Sequence, residues 1–103
     1  MHPKFDSGQV ARIIDQALVY QCACPAQVCS ALIGLRDLYD YQQKCMDATD
    51  NDRHVHETIA AAAEQAHALL EQCLKDVLVI EGWDEQTLRM PDNLRKKSVK
   101  TGV

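Results

Sequence analysis

Three of the chain's five cysteines fall within "QCACPAQVC", residues Gln21 to Cys29, on either side of a proline. Thiolate is the reactive and metal-binding form of cysteine, and soft sulfur ligands suit Zn²⁺ or Cu⁺. Cys22 and Cys24 are close enough in the chain to share one ion, with Cys29 as a third sulfur and Cys73 as a fourth. Cys24 precedes Pro25 and so stands where a helix begins; the positive end of the helix dipole lowers a thiol's pKa there. The same residues suit a soft-metal site or a redox thiol. The spacing C-x-C-x4-C departs, however, from the paired C-x2-C clips of common zinc sites. Each member also has a packing role: Cys22 continues the row Val10, Ile14, Leu18, and Cys73 lies on an apolar stripe, where cysteine acts as a small hydrophobe and should be buried. Cys24, at the helix start, should be exposed.

A second pattern, Glu64-x-x-His67, sets a carboxylate and an imidazole one turn apart on one helix face. It resembles one ligand pair of the four-helix di-iron proteins, which use it twice. One copy occurs here, so an iron site would need a dimer, with Asp37 or Asp40 as extra carboxylates. The competing role is an ordinary pair on a solvated face. His54, His56 and Glu57, with Cys45 or His2, raise a similar question. Two helical residues that are two apart point about 200° apart, so a polar helix start accounts for His54 and His56 better. There is no His-Glu-x-x-His, nucleophile elbow, phosphate-binding glycine loop or dinucleotide fingerprint. An enzyme is therefore the less favoured reading.

These residues must be positioned by helices. After Asp6 or Ser7 as N-cap, Val10, Ile13, Ile14, Ala17 and Leu18 recur at helical spacing to about Cys22. The residue before a proline leaves the α region, so one helix ends at Cys24 and the next opens at Pro25, running to about Met46 with Val28, Ala31, Leu32, Leu35, Leu38, Tyr39 and Met46 on one face. "DATDNDR" supplies turn and cap residues. A third helix follows from about Arg53 to Glu81, its expected core stripe being Val55, Ile59, Ala62, Ala63, Ala66, Leu69, Leu70, Cys73, Val77 and Ile80, with Gly82 as C-terminal cap. "WDEQTLRM" predicts a short fourth helix capped by Asp84 and packed through Trp83. No stretch alternates with period two. Short connections make neighbouring helices antiparallel, so the expected fold is all-α: an up-down three-helix bundle with a short fourth C-terminal helix. Residues 1–90 form one domain and 91–103 a basic tail. In that topology Cys22, Cys24, Cys29 and Cys73 gather at one end, with Cys45, His54 and His56 at the other.

Composition narrows the function classes. Hydrophobic residues make up 47% and charged residues 25%, as in ordinary globular domains, while aromatics at 5% leave a core of aliphatic side chains. No apolar run reaches the roughly 18 to 20 residues that cross a bilayer, and "MHPKFDSGQ" has no apolar stretch of a leader, so the expectation is a cytoplasmic protein without a membrane partner. Five cysteines, an odd number, fit reduced thiols rather than a disulfide framework. Up to Met90 the chain has seven basic and fourteen acidic residues; from Pro91 it has four and one. The tail's Arg95, Lys96, Lys97 and Lys100 lack aromatic stacking partners and adjoin an acidic body, which disfavours nucleic acid.

The reading that follows is a small helical-bundle binding or assembly module that self-associates, as a dimer first, or takes a partner helix. Its basis is "IAAAAEQAHALL", whose four alanines cover more than one side of the third helix with small groups that permit close approach. The phase of the expected core stripe leaves Ala60 or Ala61 as the outward interface residue. The runner-up is a Zn, Cu or redox thiol site at Cys22, Cys24 and Cys29, followed by an Fe site through Glu64 and His67.

Overall fold

The structure, a computed structural model, describes residues 1, 3–17, 24–45 and 47–91. They form three α-helices, α1 (Ser7–Ala17), α2 (Cys24–Lys44) and α3 (Asp50–Glu81), with no strand among the described residues. Asp6 caps α1 reciprocally. Its carboxylate accepts from the Gln9 N–H at 2.8 Å, and the Gln9 side-chain oxygen accepts from the Asp6 N–H at 2.9 Å. α2 begins at Cys24, with Pro25 in its first turn and buried. α3 starts at Asp50 rather than Arg53, because Thr49 is the N-cap: its hydroxyl accepts from the Asp52 N–H at 3.0 Å, and Asp50 and Asp52 lie at the positive end of the helix. At the far end Gly82 has φ 80°, and the Gly82 and Trp83 N–H groups donate back to Val79 and Leu78. The expected extension of α1 to Cys22, the Met46 end of α2 and the basic tail from residue 92 lie outside the described residues.

The expected fourth helix is instead one closed turn. Asp84 does cap it: its carboxylate accepts from Thr87 N–H at 2.8 Å and Gln86 N–H at 2.9 Å, bonds that hold its pKa below the usual range. Leu88 then takes φ 56°, in the left-handed region where a helix of L-residues does not propagate. The chain doubles back, so that Leu88 N–H donates to the Asp84 carbonyl and Asp84 N–H to that of Arg89. α1 fastens this turn through Arg12 Nε to the Thr87 carbonyl (2.6 Å) and Gln16 Oε1 from the Met90 N–H (3.3 Å). Trp83 is buried as expected, in one core cluster with Ile13, Cys29, Leu32 and Leu74.

α2 packs along α3, and α1 packs on α2. α3 buries Ala60, Ala63, His67, Glu71, Leu74 and Leu78. This shifts the expected phase. Of the stripe assigned to the core Ala63 is buried and Ile59, Ala66, Leu70 and Val77 are half-buried, but its centre is turned roughly 100° away: Leu69 is 74% and Ile80 82% exposed, and Cys73 is exposed rather than buried. Ala60, expected to face outward, is 6% exposed, while Ala61 is exposed as expected. Both faces of α3 repeat every three and four residues, and the one that packs inward contains His67 and Glu71, which read as polar in the sequence.

Candidate functional site

The inward face of α3 carries a buried ion network. His67 and Glu71, one turn apart, are 1% and 2% exposed, and Arg36 reaches them from α2. Arg36 Nε donates to His67 Nε2 at 3.0 Å, and Arg36 Nη2 donates to the Phe5 carbonyl at 2.5 Å while lying 3.5 Å from Glu71 Oε2. Glu71 Oε2 accepts from the backbone N–H groups of Lys4 (2.6 Å) and Phe5 (2.9 Å). His67 Nδ1 faces Glu71 Oε1 at 3.5 Å. Because Nε2 accepts from a guanidinium that cannot give up its charge, the imidazole proton sits on Nδ1 and the ring is neutral. Burial lowers the His67 pKa; Glu71 opposes this, and Arg36 and the N-terminal amino group reinforce it. No buried side-chain nitrogen or oxygen among the described residues lacks a hydrogen-bond partner. The network is closed on itself and pins residues 4–5 across α2 and α3.

That geometry decides what His67 is available to do. Its Nε2 lone pair is taken by Arg36, whose positive charge would also repel a metal cation. The expected partner Glu64 is exposed; the carboxylate beside His67 is Glu71, four residues on rather than three before. Asp37 and Asp40 are exposed on α2. Arg36 and Glu71 escaped the sequence reading. Their signals were an arginine on the apolar row Leu32, Arg36, Tyr39 and the i,i+4 pair His67, Glu71.

The cysteines divide. Cys29 is fully buried in the core cluster, and burial pushes its thiol up to about 11, far from a reactive thiolate. Cys24 is exposed at the start of α2, as expected, and Cys45 is half-buried. Cys22 lies outside the described residues. Among the described residues no group of three or more His, Cys, Asp or Glu is placed to hold a metal ion. His56 instead pairs with Asp47 through Nδ1 at 2.6 Å, and Arg53 pairs with Asp50, so the start of α3 is a polar cap.

A different feature of α3 was assigned to the wrong side by the sequence reading. Val55, Ala62, Leu69, Cys73 and Ile80 are exposed along one seam, flanked by half-buried Ile59 and Ala66. Thr58, Gln65 and Gln72 border it with neutral polar groups, and Ala61 lies on the same flank. Asp76 is the one charged residue on the seam between Val55 and Ile80, and Gln72 Nε2 holds its carboxylate at 3.0 Å. No helix among the described residues is long and apolar enough to cross a membrane. No protein-family model, curated protein or solved structure matches the chain.

Proposed function

We propose that the chain is a helical assembly module that self-associates by docking a further helix on the open seam of α3. One observation carries this reading: the exposed face of α3 is more apolar than the face α3 buries. The inward face contains His67 and Glu71 and needs Arg36 and two backbone N–H groups to satisfy them. The outward face presents Val55, Leu69 and Ile80 to water. Burying one such side chain fully is worth roughly 1.5 to 3 kcal/mol, so a partner helix gains more from this seam than from any polar face. An up-down order of the helices belongs to the same proposal. The short link between Lys44 and Asp50 and the meeting of Arg36 with His67 and Glu71 support it for α2 and α3.

Leu69→Glu tests the module directly. It places a charge at mid-seam, where the side chain touches little of its own chain, so helicity and unfolding temperature should hold while sedimentation shifts to monomer. Unchanged association in this variant would move the interface elsewhere and end the reading.

A further inference from the structure

We infer that the occupant of the seam is a second copy of α3, running antiparallel, with the partner's Leu69 opposite Ala66. This deepens the assembly reading above and rests on it. Val55, Ile59, Ala62, Ala66, Leu69 and Cys73, continued by Asp76 and Ile80, alternate steps of four and three residues. That 3.5-residue repeat is the seam of a two-stranded coiled coil, in which side chains at these positions interlock with the facing helix.

Asp76 selects the orientation. A parallel, in-register pair would set two Asp76 carboxylates against each other inside the seam and align the two helix dipoles. An antiparallel pair with its two-fold axis between Ala66 and Leu69 sets Ala62 against the partner's Cys73, Val55 against the partner's Ile80, and Asp76 against the partner's Ile59. Small then meets larger at the centre, and the apolar ends cover each other. Asp76 is already drawn to the flank by Gln72. Sliding the pair by one heptad either brings Asp76 beside the partner's Asp52 and strands Ile80, or strands Val55 and Ile59. In the favoured register Gln65 meets the partner's Gln72, so neutral amides border the seam. Two copies of a chain with net charge −4 repel in general, and this nearly uncharged sector is where they can approach.

The area sets the strength. From Val55 to Ile80 the seam is about 38 Å long at ~1.5 Å per residue, and with a helix about 10 Å across it covers on the order of 400 Å² per copy. A standard stable interface buries about 800 Å² per partner, so the pair should be weak and reversible.

A disulfide trap reads the register even when binding is weak. In the full chain carrying Cys22→Ser, Cys24→Ser and Cys45→Ser, Cys73 is the exposed thiol that remains. Two Cys73 residues would lie about 16 Å apart along the axis, beyond bridging range. Adding Ala62→Cys and oxidising with diamide should give a covalent dimer whose peptides join position 62 to Cys73, forming at least about tenfold faster than in the parent background. Bridges of 62 to 62 together with 73 to 73 would overturn the antiparallel order. If no bridge forms above the parent's rate while the wild-type chain still associates in sedimentation, the second-copy register fails and the assembly module stands. If no bridge forms and the wild type is monomeric up to about 0.1 mM, both fall, and a helix of another protein becomes the occupant.

Discussion

Glu71 holds four donors or charges from three parts of the chain, the Lys4 and Phe5 amides, Arg36 and His67, while 2% exposed. Removing one member of such a buried set strands the others, which typically costs about 3 to 5 kcal/mol. Glu71→Ala should therefore lower the unfolding free energy by about 3 kcal/mol in urea titrations, whereas Glu64→Ala, on the solvated surface, should change it by less than about 0.5 kcal/mol. The network also predicts a pH dependence. His67 binds its proton less readily in the native chain than its ordinary pKa near 6.5 implies, so on acidification the unfolded chain takes up the proton first. Its contribution to stability is complete above pH ~6.5 and declines below it. His67→Gln, which keeps an acceptor for Arg36, should flatten that part of the curve measured by thermal melting. Among the thiols, a native-state labelling reagent at pH 8 should modify Cys73 rapidly and Cys29 only on unfolding, since Cys29 is buried with its pKa near 11. His67 was legible in the sequence as a residue with a carboxylate within one turn. Which carboxylate was not legible, because Glu64 and Glu71 both satisfy helical spacing and only packing against Arg36 chooses between them.

At the scale of elements, the helix ends were the most legible features, because they are set by local chemistry. Asp6 with Gln9, Pro25 in the first turn of α2 and Gly82 each supply or remove a backbone hydrogen bond within a few residues, so no distant contact is needed to read them. The fourth helix was misjudged for the same reason inverted: Asp84 caps like a helix start, but the left-handed Leu88 is fixed by burial with Trp83 and Met90, which local spacing does not reveal. Two glycines test the helix account with opposite signs. Gly34 lies in the middle of α2 with nothing within 4 Å of an added Cβ, so Gly34→Ala should stabilise the chain by about 0.5 to 1 kcal/mol. Gly82 has φ 80°, so Gly82→Ala should cost about 1 to 2 kcal/mol. Denaturant midpoints of the two variants, compared with the wild type, should move in opposite directions.

For the whole molecule, the all-helical class was legible from periodicity, but the phase of α3 was not. Sequence pattern ranks faces by apolarity, and on α3 that ranking points outward, because the inward face contains His67 and Glu71 and is held by their hydrogen bonds as well as by Leu74 and Leu78. The mismatch is what leaves Leu69 and Ile80 in water, the surface on which the proposed assembly rests. Ala61, on the flank of that surface, should respond less to Ala61→Glu than the seam centre does to Leu69→Glu. Sedimentation equilibrium of the wild-type chain over a concentration series, with Leu69→Glu beside it, is the most direct measurement. A monomer–dimer equilibrium in the wild type that disappears in a still-helical Leu69→Glu is the predicted result; a wild-type chain that stays monomeric across the whole series, or a variant that dimerises as the wild type does, would contradict it.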